Sequence, residues 1–282
     1  MGKVVSFINM KGGVGKTTLA VNIGYTLSKK LNKTVLLIDA DPQMNATQHI
    51  LNMDLERLQD ILNNPDKTIY GILSKNFKFP TVTTPSALSQ KSPVKTKFDE
   101  VLEVNDKFHI IPSHLNIMSL NLIESPHLLG HYIEKNFKNK YDVIILDLPP
   151  TISAYTKISL LASDAYIVPM KTDYLSFFGF PLLQSYVNSL IEEFGIHLEF
   201  VGIILNMTRD DQTIYKDVKE KISKKWEKAL FKNELKYRID VAKSLSPEEC
   251  ENTPPYIIER RDADLKQQII DITIEFAQKL RL

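Results

Sequence analysis

The stretch KGGVGKTT at residues 11–18 decides the fold of this chain. It follows a short β-branched and apolar run, VVSFI at residues 4–8, and it precedes residues 19–27, whose apolar side chains recur at helical spacing. The glycines of the stretch allow the backbone to turn sharply between these two segments. The sequence therefore predicts a strand, a glycine turn and a helix.

The same turn has the chemistry of a phosphate site. Its backbone N–H groups and the N-terminus of the following helix can point at one anion. Lys16 would supply a charge to the β- and γ-phosphates of a nucleotide, and the hydroxyl of Thr17 would bind Mg²⁺. The predicted nucleotide site comprises Lys11, Gly12, Gly13, Val14, Gly15, Lys16, Thr17 and Thr18.

The turn departs from the common P-loop pattern G-x-x-x-x-G-K-[ST], because Met10 stands where that pattern has glycine. The second lysine, Lys11, is typical of the deviant Walker A motif, and here the chain resembles the ParA/MinD family of P-loop ATPases. The resemblance implies an α/β fold with a single doubly wound, mostly parallel sheet and helices on both faces. It also implies ATP and Mg²⁺ as cofactors, with Lys11 and Lys16 as catalytic residues. In that family Lys11 would cross a homodimer interface to reach the partner's phosphates.

The segment after the second predicted strand carries two acidic residues. Residues 34–39, TVLLID, form a continuous apolar run typical of a strand that is buried on both faces of a parallel sheet. Pro42 then stops regular structure at the carboxyl edge, where ligands bind in doubly wound sheets. The sequence DADPQMNAT at residues 39–47 resembles the corresponding ParA segment. The resemblance implies that Asp41 orients the attacking water near Mg²⁺, with Asp39 in support; the alternative is two surface aspartates in a turn.

Two later strands contribute further candidate residues. The run YDVIILDLPP at residues 141–150 resembles a Walker B motif, which implies that Asp147 holds Mg²⁺. The candidate residues for the metal are thus Thr17, Asp41 and Asp147. Its Asp-x-Pro-Pro ending is more similar to partition ATPases than to the MinD branch. Asn206, at the end of the apolar run at residues 200–207, matches the asparagine that binds adenine in ParA-type proteins. The alternative is an asparagine that only caps the strand.

A basic region follows the last central strand. Residues 209–243 contain eleven basic and seven acidic side chains, so the excess of positive charge is four. Such an excess predicts DNA binding that is independent of sequence and sensitive to salt. The candidate DNA-binding residues are Arg209, Lys216, Lys219, Arg238 and Lys243. The alternative is a solvated, lysine-rich helix face.

Composition argues against several classes of protein. The net charge is only +1, so any affinity for nucleic acid must come from a local patch. Cys250 is the single cysteine, which argues against a disulfide framework and against the iron–sulfur cluster of a nitrogenase-reductase-like protein. No apolar run is long enough for a membrane span and no signal peptide is evident, so we expect a cytoplasmic protein. The acids and bases of residues 263–282 balance, which favours a core helix over a MinD-like membrane anchor.

We expect residues 1–282 to form a single domain, with an exposed loop insertion at about residues 77–96, where Pro, Ser and Thr are frequent. The resemblance implies an ATPase that dimerises with ATP and binds non-specific double-stranded DNA at the nucleoid. A ParB-like centromere-binding protein would stimulate hydrolysis and release, in plasmid or chromosome segregation. Two alternatives remain: a MinD-like positioning ATPase that cycles on a membrane, and a nucleotide-gated repressor that coats DNA without turnover.

Overall fold

A mostly parallel β-sheet forms the centre of the protein in a computed structural model that describes residues 1–52, 54–74, 101–210, 213–239, 241 and 254–282. Its strands are β1 (Lys3–Phe7), β2 (Val35–Asp39), β3 (Leu102–Asn105), β4 (Phe108–Ile111), β5 (Val143–Asp147), β6 (Ala165–Met170), β7 (Glu199–Thr208) and β8 (Leu235–Lys236). Their order across the sheet is β3-β4-β2-β5-β1-β6-β7-β8. Only the β3–β4 pair is antiparallel among these strands.

Helices connect the strands. They are α1 (Lys16–Lys30), α2 (Asn45–Leu51), α3 (Leu55–Asn63), α4 (Ile69–Ser74), α5 (Leu128–Asn136), α6 (Ala154–Leu161), α7 (Tyr174–Phe194), α8 (Thr213–Trp226) and α9 (Ala263–Leu280). Four of them begin at a side chain that accepts a backbone N–H of the first turn, which is a favourable N-cap. These caps are Asp54, Ser153, Asp173 and Asp262.

The helices cover both faces of the sheet. Along β1, Val4 packs in the apolar cluster that includes residues of α4–α8, whereas the next residue, Val5, packs with residues of α1 and α9. Alternate residues of a strand point to opposite faces, so a sheet covered on both sides needs apolar residues at consecutive positions. This explains the continuous apolar runs in the sequence and confirms the predicted doubly wound fold.

The closing helix is part of the core. Leu265, Ile269, Ile272 and Phe276 of α9 are each at most 2% exposed. The prediction of a core-packing helix is therefore confirmed. Among the described residues, no helix combines the length and the apolar character that crossing a membrane requires. The predicted loop insertion at residues 77–96 lies outside the described residues.

The strand register brings the candidate residues to one edge of the sheet. Asp147 of β5 lies opposite Phe7 of β1 and opposite Asp39 of β2. The carboxyl ends of these three central strands therefore coincide, and the glycine turn follows directly after β1. The topology thus gathers segments that are more than 100 residues apart in the sequence.

Candidate functional site

A cavity of about 610 Å³ opens at this edge of the sheet. The glycine turn and the start of α1 line one side of it, including Lys16, Thr17 and Thr18. Asp41 and polar residues of α2 or next to it line another side, and Met207 at the end of β7 also contributes to the wall. The cavity thus combines polar side chains with a helix N-terminus, which favours an anion.

The backbone of the turn requires glycine at two positions. Gly13 and Gly15 have φ angles of +67° and +79°, in the left-handed region that residues other than glycine rarely adopt. Gly15 is also the N-cap of α1. A Cβ atom on Gly15 would lie 2.2 Å from Nδ2 of Asn206, so close packing excludes a side chain there as well. The sequence prediction of a tight turn that opens a helix is confirmed.

Lys16 and Thr17 line the cavity, and Asp147 contacts Thr17. Burial lowers the pKa of Lys16, and the nearby carboxylates of Asp147 and Asp41 oppose that shift. The hydroxyl of Thr17 donates to Oδ2 of Asp147 at 2.7 Å. Oδ1 of Asp147 is buried and has no hydrogen-bond partner among the described residues. Burial raises the pKa of Asp147 to about 7, against the effects of the Thr17 hydrogen bond and Lys16. An unpartnered carboxylate oxygen beside a hydroxyl fits the oxygen ligands that Mg²⁺ prefers.

Asp39 positions the segment that carries Asp41. Oδ2 of Asp39 accepts the backbone N–H and the hydroxyl of Thr47 at 2.9 and 2.7 Å, and Oδ1 accepts the N–H of Asp41 at 3.1 Å. Burial raises the pKa of Asp39 to about 8, and the charge of Asp147 adds to that shift. The carboxylate of Asp41 accepts the N–H of Gln43 at 2.9 Å and lines the cavity. Asp39 therefore braces the turn, and Asp41 is the carboxylate presented to a ligand.

Lys11 is held by its own chain. Its Nζ lies 2.7 and 2.8 Å from the two carboxylate oxygens of Asp173. Asp173 also accepts the N–H of Ser176 at 2.8 Å and so caps α7. The backbone N–H of Lys11 donates to Asn9, whose side chain donates to the carbonyl of Pro169. The sequence grouped Lys11 with the phosphate residues, whereas here it joins the glycine turn to the start of α7.

Asn206 contacts the glycine turn. Its side-chain amide donates to the carbonyl of Val14 at 2.8 Å and lies 3.4 Å from the carbonyl of Gly15. Its Oδ1 accepts the backbone N–H of Met207 at 2.9 Å. The side chain thus ties the carboxyl end of β7 to the turn.

Two of the predicted DNA-binding residues are engaged in ion pairs. Arg238 contacts Asp262 and Asp264 at the N-terminus of α9, each at 3.0 Å. Lys219 pairs with Glu234 at 3.0 Å. Both cations are partly neutralised, Lys219 by an acid of the basic region itself and Arg238 by Asp262 and Asp264, which lie outside that region.

The other predicted DNA-binding residues have different surroundings. The guanidinium of Arg209 lies over the ring of Tyr237, 4.0 Å from its centroid. Lys216 is exposed on α8, in no ion pair with the described residues. Lys243 lies outside the described residues. Among the described candidates, Lys216 is therefore exposed and outside the ion pairs, and it can contact a phosphate without breaking one.

Several residues at the site were not identified from the sequence. Asp173 was not among the candidate residues, although an aspartate directly before a helix is a recognisable N-cap. Gln43, Asn45 and Gln48 add polar groups to the cavity wall, and they lie within or beside the DADPQMNAT segment that was singled out. No sequence motif indicated that Met207 would line the cavity.

Comparison with known families and proteins shows the family to which the chain belongs. Residues 2–200 match the model of a family described as an AAA domain. An uncharacterized protein of Methanocaldococcus jannaschii is 36% identical over 210 residues, which cover 72% of each chain. The sporulation initiation inhibitor protein Soj of Bacillus subtilis is 26% identical over 250 residues, which cover 87% of this chain and 88% of Soj.

Solved structures share the fold. A plasmid partition protein of Borrelia burgdorferi bound to AMPPNP has a TM-score of 0.73 and 23% identity, and the match covers 99% of this chain and 100% of that one. A cobyrinic acid a,c-diamide synthase of Mycobacterium smegmatis with a bound ATP analogue and magnesium has a TM-score of 0.62 and 22% identity. That match covers 80% of this chain and 81% of the synthase.

Proposed function

Because the chain belongs to the AAA-domain family and, within it, to the ParA/Soj-type partition ATPases, we propose that it binds ATP with Mg²⁺ in this cavity and uses the nucleotide to control DNA binding. The observation that carries the proposal is that Lys16, Thr17 and Asp41 line one cavity at a helix N-terminus, with Asp147 hydrogen-bonded to Thr17. Each of these side chains has a use when a triphosphate is bound, and the buried oxygen of Asp147 has none without a cation.

The residues of the site divide the work of phosphoryl transfer. The backbone N–H groups of the turn and the ammonium of Lys16 stabilise negative charge on the phosphates. Thr17 and Asp147 would hold Mg²⁺, which supplies positive charge at the phosphate oxygens when bound. Asp41, braced by Asp39, orients the attacking water. Little covalent chemistry is required of the protein, because positioning and electrostatic stabilisation supply most of the catalysis.

We further propose that ATP closes two copies of the chain into a homodimer and that Lys11 then reaches the partner's phosphates. The ion pair with Asp173 must break for this exchange. Both side chains are about one-third exposed, so the ion pair itself contributes no more than about 1 kcal/mol. A triphosphate is the stronger attraction for an ammonium, and the exchange is therefore favourable when ATP is present.

The dimer would bind double-stranded DNA without sequence preference through the surface of α8, Arg209 and the segment that carries Arg238. Two copies of a modest positive surface add their phosphate contacts, which explains how a chain with a net charge of only +1 can bind DNA.

We propose that a ParB-like partner stimulates hydrolysis in plasmid or chromosome segregation, and that the ATP-bound form is associated with the nucleoid. We also propose that the chain acts as one cytoplasmic domain, which the single sheet of the described residues supports.

The test is a gel shift with non-specific DNA in the absence of nucleotide, with ADP and with ATP, each with Mg²⁺. We expect the DNA to be retarded only in the condition that contains ATP. The Lys16→Ala variant should not retard the DNA in any of the three conditions. Equal retardation in all three conditions contradicts nucleotide control. Phosphate release is measured on the same samples, because the repressor alternative predicts ATP-dependent binding with no turnover. The membrane alternative gains no support from α9, since the apolar face of that helix is already buried against the sheet.

A further inference from the structure

We infer that Asp262 and Asp264, at the start of α9, form an autoinhibitory contact: they occupy Arg238 in place of DNA phosphates and must be displaced before Arg238 can bind DNA. The inference rests on the proposed function, because it concerns the DNA surface proposed above. It gives the first turn of α9 a part in setting the affinity for DNA.

Each nitrogen of the Arg238 guanidinium has a partner in its own chain. Nε lies 3.0 Å from Oδ2 of Asp262, and Nη2 lies 3.0 Å from Oδ2 of Asp264. Nη1 donates to the carbonyl of Tyr237 at 3.2 Å. A guanidinium binds carboxylates and phosphates through the same planar set of donors. The two carboxylates therefore take the positions on Arg238 that phosphate oxygens of DNA would need.

The acids keep other partners if Arg238 moves away. Oδ1 of Asp262 accepts the N–H of Leu265 at 3.0 Å and so caps α9, while the other oxygen of Asp262 faces Arg238. Oδ2 of Asp264 also accepts a hydrogen bond from Gln268 at 2.9 Å. The side chain of Asp264 is 62% exposed and that of Arg238 is 34% exposed, so the ion pair is accessible and weak. The phosphates of DNA can therefore displace the acids while α9 stays capped.

The surface around Arg238 is neutral while these contacts are made. Lys236 is paired with Asp210 at 3.1 Å, and Arg209 lies over the ring of Tyr237. The surface thus carries three cations and three acids, which are Arg209, Lys236 and Arg238 with Asp210, Asp262 and Asp264. Binding to the DNA backbone depends on cations that can replace its counterions. Displacement of the two acids of α9 is therefore what makes this surface positive towards DNA.

The same contact favours binding by two copies over binding by one. A single chain must give up the ion pairs of Arg238 for few phosphate contacts. When two copies are linked in a dimer, the second copy binds at high effective concentration, so weak contacts of each copy still give a stable complex. Lowering the affinity of each copy thus keeps a single chain off DNA, whereas the ATP-dependent dimer binds.

The experiment measures the affinity for non-specific DNA, with ATP and Mg²⁺, in a double-mutant cycle of Asp264→Asn and Arg238→Ala. Asp264→Asn should raise the affinity up to roughly fivefold for each copy that contacts DNA, because an exposed ion pair is worth at most about that factor. In the Arg238→Ala background the same substitution should have a clearly smaller effect, since no guanidinium is left to release. Asp262→Asn should act like Asp264→Asn and keep α9 capped, because asparagine is also a good N-cap.

Asp271→Asn is the matched control. It removes one negative charge about two turns further along α9, where the carboxylate accepts a hydrogen bond from Gln267. Any effect of this change should be the same with and without Arg238, because it reflects charge alone. Thermal unfolding checks that each variant is folded, and Arg238→Gln replaces Arg238→Ala in the cycle if the latter is not.

Two results would overturn the inference. One is an equal effect of Asp264→Asn in both backgrounds, since the acid would then act only through its charge. The other is unchanged or weaker DNA binding in Asp264→Asn, which would mean that the acids do not compete with phosphates for Arg238. Failure of both the unsubstituted protein and Asp264→Asn to bind DNA would refute the proposed function and this inference together, whereas either result above leaves the proposed function intact.

Discussion

Three buried carboxylates surround the turn, and their hydrogen bonds separate their roles. Asp39 is satisfied by Thr47 and by the backbone of Asp41, so it acts on the backbone and not on a ligand. Asp147 keeps one oxygen without a donor among the described residues. Asp41 presents its carboxylate to the cavity. Identical side chains thus have different surroundings, which supports the different roles proposed for Asp39, Asp147 and Asp41.

The role proposed for Asp41 can be tested by removing its carboxylate. Asp41→Ala should retain ATP binding and ATP-dependent dimers, because Lys16 and the turn remain. Turnover should fall by at least about 100-fold, since general-base or water-positioning groups typically contribute that much. Phosphate release under saturating ATP measures the effect. Turnover equal to that of the unsubstituted protein would contradict the assignment.

His49 makes the stability of the protein depend on pH. Burial lowers its pKa to about 4, although the carbonyl of Pro255, 3.0 Å from Nε2, opposes the shift. A lowered pKa means that the unfolded state takes up the proton first, so this contribution is complete above about pH 6.5 and is lost as pH falls towards 4. Relative to His49→Gln, the unsubstituted protein should lose about 2 kcal/mol more unfolding free energy between pH 7.5 and pH 5. Denaturant titrations at both pH values test this, and parallel losses in the two proteins would refute it.

Asp173, at the N-terminus of α7, has two contacts with different roles. The carboxylate of Asp173 caps the N-terminus of α7 and also forms the ion pair with Lys11. The cap orders α7 in any state of the protein, whereas the ion pair is available for exchange. A single substitution can separate the two roles because asparagine is also a good N-cap.

Asp173→Asn should therefore keep α7 capped and release Lys11. We expect ATP-dependent dimers to form at protein concentrations up to roughly 30-fold lower, because two ion pairs break per dimer and an exposed ion pair is worth at most about 1 kcal/mol. Sedimentation with ATP and Mg²⁺ measures the dimer constant. Lys11→Ala is the control that should abolish the dimer while preserving much of the affinity for ATP. Weaker dimers in Asp173→Asn would show that Asp173 assists the crossing instead of opposing it.

The closing helix offers a matched pair of substitutions. Ile272 is fully buried against the sheet, and Ile274, two residues further along α9, is 39% exposed. Ile272→Ala should reduce the unfolding free energy by about 2–5 kcal/mol through lost burial and a new cavity, whereas Ile274→Ala should change it much less. Denaturant unfolding measures both. Equal small effects would contradict the assignment of α9 to the core.

Several cations of the basic region are engaged in contacts with other described residues. Arg238 and Lys219 are paired with acids, and Arg209 is stacked on Tyr237. Binding DNA through these residues would require that their present contacts rearrange. Lys216 requires no such rearrangement because it is exposed and outside the ion pairs of the described residues.

Lys216→Glu should therefore weaken ATP-dependent DNA binding and reduce the slope of log affinity against log salt by about 1 for each copy of the residue that contacts phosphate. Lys140→Glu is the matched control, because it makes the same change of charge at an exposed position before β5, away from the proposed DNA surface. Fluorescence anisotropy with non-specific DNA at several salt concentrations measures both variants. Equal effects would indicate a response to net charge and not to a DNA surface.

The glycine turn, the Asp39–Asp41 segment and the doubly wound sheet were predictable because their signals are local. Lys16 and Thr17 follow the turn directly, so the positions of their backbones are set within a few bonds by the glycines and α1. The apolar runs of β2 and β5 were equally clear, since a strand buried on both faces needs apolar residues at consecutive positions. The antiparallel β3–β4 pair was missed, because Glu103 and its neighbours in β3 are partly exposed and carry no such run.

The contacts of Lys11, Asn206 and Arg238 were decided only by the tertiary structure. Lys11 and Asp173 are 162 residues apart, and the amide of Asn206 meets the carbonyl of Val14 across 192 residues. A sequence motif identifies the side chain that follows the turn or ends a strand. It does not identify the distant residue that the order of the strands brings next to that side chain. That choice depends on the order of β1, β6 and β7 and on the direction of each side chain, and both are set by packing between distant segments. The sequence by itself therefore determined the phosphate-binding turn and its sheet, whereas the fold determined how Lys11 is restrained, what Asn206 holds and which cations are free.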